Sequence, residues 1–298
     1  MRAPPLVTGL KRAYKPHFLT PLFFSLMLLS LPQFTDNSYI LNLFTFISIY
    51  AIMAASFDLI VGYTGQISLG HPLFFGVGGY TLAILNLNFG VPWWAGLLLG
   101  TLAAAVAGFL IGVVCLRFTR LYLAIVTFAF TLLAWSLARM FPAVTGGELG
   151  LSGIARPSPD AAINFYLSVL LMVFSISVMY WVIKSRWGLM FQAIREDEPA
   201  AKACGINTTR YKILAFILGS SFAGLAGGFY VSFMSLITAD ILYLTWMMRT
   251  LLWWGIGGEG TLIGPVLGAY FLTLLGEELH AFEQYRLIIF GTIFILVL

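Results

Sequence analysis

Charge is what this sequence has least of. Among its 298 residues only 9% are Asp, Glu, Lys or Arg, while 60% are hydrophobic. A soluble domain carries about 25% charged residues. A chain this poor in charge cannot cover a water-facing surface, so it reads as a polytopic integral membrane protein with one membrane domain. The net charge of +4 comes from basic residues scattered between hydrophobic segments, which points to membrane topology and away from nucleic acid. Cysteine is nearly absent. Cys115 and Cys204 are far apart, form no metal or redox spacing, and are expected as reduced thiols near the cytoplasmic side. His17, His71 and His280 make no metal constellation. There is no Gly-x-x-x-x-Gly-Lys-Ser/Thr phosphate loop, no nucleophile elbow and no His-Glu-x-x-His helix, so nothing supports ATP binding of that kind or intramembrane hydrolysis. A small-residue cleavage site after the first apolar run is missing too, so that run is read as retained.

What is present is a series of apolar runs. Residues 1–16, with Arg2, Lys11, Arg12 and Lys15, form a basic cytoplasmic flank. Residues 17–298 read as the membrane domain, all-α, with about 8–10 transmembrane helices interrupted by glycine-rich broken segments. The expected segments are 18–34, 40–61, 73–89, 95–116, 121–141, 163–183, 213–236, 241–256 and 262–279, with a tenth beginning near Tyr285. Trp93 and Trp94 suit an interface belt. With the N-terminus inside and alternation thereafter, twelve of the 16 basic residues fall on the cytoplasmic side. The cytoplasmic loop 184–212 is among them.

That loop contains the most polar stretch of the chain, Arg195-Glu196-Asp197-Glu198-Pro199-Ala200-Ala201-Lys202-Ala203-Cys204-Gly205-Ile206. Glu196 and Asp197 sit where the first N–H groups of a helix are unpaired. Pro199 suits a first turn, the alanines favour helix, and Gly205 is placed as a left-handed stop. The pattern predicts a polar helix of about two turns, too short to be stable alone, that needs a surface to rest on. An ordinary polar loop is the competing reading.

Two glycine-rich stretches flank apolar runs. The first holds Gly62, Thr64, Gly65, Gln66, Ser68, Gly70 and His71; the second holds Gly257, Gly258 and Gly260. Broken backbone at membrane depth often lies beside a transporter's substrate path; a plain loop with tight helix packing fits equally. His71 reads as a packing or loop residue. The two stretches echo each other weakly, each followed by small residues and a Tyr, at Tyr80 and Tyr270, as an internal repeat would be. Asp58 and Arg249 are charges within apolar segments, which by default hint at function. Either they pair across the bundle or they line the path. Glu277 and Glu278 lie at an outer segment end and read as solvated.

Four stretches together carry a resemblance: Gly62–His71, Thr145–Ile154, Ala193–Ile206 and Gly257–Gly268. In this order and spacing the chain resembles the permease subunit of branched-chain amino acid ABC importers, the LivM type, over roughly residues 40–298. The resemblance implies that 195–206 is a coupling loop docking into an ATPase subunit. The usual Glu-Ala-Ala start is altered here, with Pro199 in the Glu position, while Ala200, Ala201 and Gly205 keep the spacing. It further implies a second, LivH-like permease chain, two ATP-binding cassette subunits that use the ATP, and a periplasmic or lipid-anchored solute-binding protein. This chain would need no cofactor or metal of its own and would not be an enzyme. The expected place is the plasma (inner) membrane of a bacterium or archaeon. Urea or short-amide permeases of the same family share the motifs and often carry Asp where Asp58 stands. A secondary transporter independent of ATP is the alternative from another class, and a structural or assembly membrane protein a third. Family members usually continue into a short Pro/Arg tail. The final run here has about 14 apolar residues, short of the roughly 20 a span needs, so either the C-terminal segment is truncated or the sequence is incomplete there.

Overall fold

The computed structural model describes residues 32, 37–115 and 120–278. The first and tenth expected segments and the C-terminal end lie outside the described residues. Eleven helices follow in order: α1 Ser38–Thr64, α2 His71–Phe89, α3 Trp93–Cys115, α4 Arg120–Met140, α5 Pro142–Thr145, α6 Ala161–Lys184, α7 Arg186–Glu196, α8 Glu198–Ala203, α9 Thr208–Met234, α10 Leu244–Gly257 and α11 Ile263–Glu278. Strands β1 (Leu151–Ser152) and β2 (Leu236–Ile237) pair antiparallel, with Leu151 opposite Ile237. Among the described residues six helices (α1, α2, α3, α4, α6 and α9) are long and apolar enough to cross a membrane. The chain is therefore an all-α, multi-pass membrane protein.

The boundaries follow cap chemistry. Asn37 caps α1 by accepting from the Tyr39 N–H at 2.9 Å. Pro72 stands in the first turn of α2, where its missing donor is harmless. Gly90 closes α2 in the left-handed region (φ 64). Asn207 caps α9 through the Arg210 N–H at 3.1 Å.

α1 is the central helix: every residue from Ala51 to Thr64 is buried. α2, α3 and α9 meet almost backbone to backbone. A Cβ placed on Gly78 would lie 2.1 Å from the Gly224 carbonyl oxygen, and one on Gly100 would lie 2.5 Å from that of Gly78. Small residues thus bring the helices together where lipid supplies no hydrophobic drive. Leu98, Leu102, Val106 and Leu110 of α3 and Ile125 and Leu133 of α4 are exposed, as residues facing lipid are.

The chain alternates between two ends. At one end Ala155 N–H donates to Asn86 Oδ1 (2.9 Å) and Arg156 Nε donates to the Phe233 carbonyl (3.0 Å). At the other lie the α1–α2 turn, the segment 184–212 and the tip between α10 and α11. The expected segment 241–256 starts later, at Leu244, because 239–242 forms a 3-10 turn after β2. α10 and α11 have 14 and 16 residues. At about 1.5 Å per residue, α10 falls short of a hydrocarbon core about 30 Å thick. Gly257 and Gly264 hold the two together, since a Cβ on Gly257 would lie 2.1 Å from the Gly264 carbonyl oxygen.

Candidate functional site

The polar stretch divides between two helices. Arg195 and Glu196 end α7, a helix the charge pattern concealed, rather than starting the polar helix. Asp197 then leaves helical geometry (φ −151) and caps α8, its carboxylate accepting from the Ala200 N–H at 3.0 Å. Pro199 lies in the first turn, and α8 has 6 residues. Gly205 takes φ 82, its N–H reaches the Lys202 carbonyl, and that of Ile206 reaches the Ala201 carbonyl. Only Ala201 is buried in α8. Pro199, Ala200, Lys202, Ala203, Cys204 and Gly205 face outward.

The chain supplies one tether for α8. Glu198 bonds Lys212 of α9 at 2.5 Å and Lys202 at 2.9 Å, and accepts from Thr208 Oγ1 at 3.3 Å. Partial burial pushes the Glu198 carboxyl up, but the two ammonium groups outweigh it and hold the group below its ordinary range.

Arg195 joins this unit to both glycine-rich stretches. One guanidinium nitrogen donates to the Gly62 carbonyl at 2.5 Å, and the other pairs with Glu259 at 2.6 Å. Gly260 lies directly beneath, where a Cβ would stand 2.5 Å from the Arg195 guanidinium.

Asp58 grips the same tip from inside the bundle. Its Oδ1 accepts from Trp254 Nε1 and the Gly260 N–H, both at 2.7 Å, and its Oδ2 accepts from the Leu262 N–H at 2.9 Å. Asp58 is fully buried. Leu262 has φ 57, a left-handed conformation unfavourable for a branched residue, and the Asp58 bond holds it there. A Cβ on Gly62 would lie 1.9 Å from Asp58 Oδ1 and 2.6 Å from the Gly260 nitrogen. The two stretches that echo each other in sequence therefore meet in space, through Gly62 and Gly260.

The first stretch is a turn between helices, folded under α4. Gly65 closes α1 with φ 65. Thr64, Gln66, Ser68, Gly70 and His71 are buried. Thr127 Oγ1 accepts from the Leu69 N–H at 3.0 Å, and Thr131 Oγ1 donates to the Leu69 carbonyl at 3.4 Å. Ser56 gives its hydroxyl hydrogen to the Met53 carbonyl and is 2.8 Å from His71 Nε2. The His71 ring packs edge-on to Phe57 and Phe74. Among the described residues no group of His, Cys, Asp and Glu is placed to hold a metal. Gly257 closes α10, and Gly258 (φ 91) opens the tip.

Arg249 is not brought to Asp58. It lies exposed on α10, its guanidinium 5.7 Å from the Trp246 ring centroid. Asp58 is satisfied by backbone and indole donors, so the pairing across the bundle does not form. Sequence reasoning also missed Trp254, Glu259, Thr127 and Thr131 as site members. The Thr127/Thr131 spacing on one face of α4 was the one available signal.

A profile of the family described as "Branched-chain amino acid transport system / permease component" matches residues 39–298. The high-affinity branched-chain amino acid transport system permease protein LivM of Salmonella typhimurium is 29% identical over 283 residues, covering 85% of this chain and 67% of the relative. LivM of Escherichia coli is 28% identical over 336 residues, covering 99% and 79%. The autoinducer 2 import system permease protein LsrC of Escherichia coli is 29% identical over 280 residues, covering 88% and 79%. No solved structure matches the chain.

Proposed function

Since the chain belongs to the family of branched-chain amino acid transport system permease components, we propose that it forms the solute path for branched-chain amino acids in an ABC importer of the plasma (inner) membrane. A LivH-like second permease, two ATP-binding cassette subunits and a periplasmic or lipid-anchored solute-binding protein complete the assembly. ATP is used on the cassette subunits, and this chain carries no catalytic step. The N-terminus and the segment 184–212 face the cytoplasm.

One observation carries this reading. A six-residue helix, capped at both ends and exposed on most of its faces, is tied through Arg195 to the two turns at one end of the bundle. An isolated helix of this length is unstable in water. An exposed, pre-shaped one suits docking into a partner. When the cassette subunits close on ATP, a pull on α8 reaches α1 through the Gly62 carbonyl and the α10–α11 tip through Glu259. Gly62, Gly260 and Asp58 then act as the hub that passes movement to the path. Thr64, Gly65, Gln66, Ser68, Gly70 and His71 form the adjoining turn, and Gly257 and Gly258 its counterpart.

The LsrC relative carries a different solute in its name, so solute identity varies among relatives of this chain. The urea or amide alternative drew on Asp58, whose two oxygens are already engaged by three donors. A secondary transporter gives no account of α8.

The test is cysteine crosslinking in membranes from Ala200→Cys, in a Cys204→Ser background, to co-expressed cassette subunits. Ala200 is exposed whereas Ala201 is buried, so it is the better probe. A crosslink that ATP strengthens or weakens is expected. No crosslink from an inserted, folded chain would overturn the docking role.

A further inference from the structure

Arg249 stands at the middle of the bundle. Trp246 and Trp253, on either side of it along α10, both pack on the ring of Tyr50, with centroids 5.9 and 4.6 Å apart. Tyr50 lies near the midpoint of α1, a helix of 27 residues, so at about 1.5 Å per residue either end is roughly 18–21 Å away. An Arg side chain cannot snorkel that far.

Arg249 is nonetheless exposed, and among the described residues no carboxylate pairs with it. A charge facing hydrocarbon at that depth is strongly disfavoured. The exposed face of α10 must therefore border water or protein. Its residues are Thr245, Met248 and Arg249, with Leu252 and Ile256 half-buried one and two turns on. This strip offers a cationic donor fork, a hydroxyl and an apolar stretch in line.

Resting on the reading of the chain as an amino-acid permease, we propose that Arg249 is a recognition site on the solute path. Its guanidinium takes the carboxylate of an α-amino acid, and the strip Met248, Leu252 and Ile256 meets the apolar side chain. A planar fork matches a carboxylate with two parallel hydrogen bonds.

The test uses the full permease–cassette complex, purified in nanodiscs without its solute-binding protein. Radiolabelled leucine and leucinamide are the probes. Wild type should bind leucine at least tenfold more tightly than leucinamide, which lacks the carboxylate. Arg249→Gln should weaken leucine at least tenfold and bring the ratio towards one. Equal binding by wild type and Arg249→Gln would overturn the proposal. So would loss of permease pairing in Arg249→Gln with leucine affinity unchanged in the complexes that remain, which would assign Arg249 to an ion pair between subunits. A second measurement does not depend on that variant's assembly. Met248→Cys, in a Cys115→Ser, Cys204→Ser background, should react with a small thiol reagent at least threefold more slowly with leucine present, and no more slowly with leucinamide. Labelling indifferent to leucine also overturns the site. If wild type drives ATP-dependent amino-acid uptake yet binds no leucine at the permease, the inference alone fails. If it drives no such uptake, the amino-acid reading fails and the inference falls with it.

Discussion

Asp58 is held by donors that no side-chain pattern announces. Two of its three partners are backbone N–H groups of Gly260 and Leu262, and the third is the Trp254 indole. Replacing it with Asn keeps the shape, removes the charge and turns one acceptor into a donor aimed at another donor. Charge-assisted hydrogen bonds contribute about 1.5–3 kcal/mol each and an orphaned buried donor costs about 1–3 kcal/mol. Asp58→Asn should therefore lower stability by about 2–4 kcal/mol, read as a shifted unfolding curve of the purified protein. A curve superimposable on wild type would remove Asp58 from the hub. Arg195 is the complementary case, standing at the rim. Arg195→Ala should leave cassette ATP hydrolysis within about twofold while uptake falls at least tenfold, because docking survives and the link to Gly62 and Glu259 does not. Arg195→Lys should recover part of the uptake, as a point charge can reach Glu259 but not form both bonds. Parallel losses of hydrolysis and uptake would make Arg195 a folding residue only. At this scale the sequence singled out Asp58 and Arg249 as charges that are costly within apolar segments. The two do not pair because two backbone N–H groups and the Trp254 indole take both Asp58 oxygens, and backbone donors leave no signal in composition.

Element boundaries were far easier to read than partners. Asp197 and Gly205, read as the start and stop signals of the polar helix, mark its ends in the structure, because caps act over four residues and leave local signatures. α7 escaped notice since its residues blend an apolar run into the charged stretch. α10 reads as a span because apolar composition does not report length across the membrane when an ordered 3-10 turn precedes the helix. The tether of α8 has a pH signature. The Glu198 carboxyl titrates below its ordinary value when folded. Its contribution is therefore fully present above the unfolded value, about 4.3, and is lost as pH falls through the lower folded one. Hydrogen-exchange protection at 198–206 should be flat from pH 8 to pH 5 and decline below about 4. Glu198→Gln should lower protection between pH 8 and pH 5 by about 1–2 kcal/mol and converge with wild type as acid neutralises the carboxyl, because it leaves the buried Lys212 ammonium with a neutral partner. Protection that instead rose on acidification would mean that the Lys212 and Lys202 contacts do not dominate Glu198.

For the whole molecule, alternation of helices divides the loops into two sets that the hydrogen bonds keep apart. Arg195, Gly62, Glu259 and α8 form one end. The loop 145–157, Asn86 and Phe233 form the other. The proposed orientation places the first set in the cytoplasm, on the expectation from Lys184, Arg186, Arg195, Lys202, Arg210 and Lys212, which gather in one loop region. Cys204 is exposed at this end, and Leu149 is 90% exposed at the other. A membrane-impermeant maleimide should accordingly label Cys204 in inside-out vesicles and spare it in cells with a permeable outer barrier and an intact plasma membrane, both in a Cys115→Ser background. Leu149→Cys, with Cys204→Ser added, should show the opposite pattern. The two probes are independent, so a protein that fails to insert would label from both sides at both positions. If Cys204 were labelled only from outside, α8 would face away from ATP. No cytoplasmic cassette subunit could then dock on it, and the chain of contacts from α8 through Arg195 to the α10–α11 tip would have to serve the solute-binding protein instead.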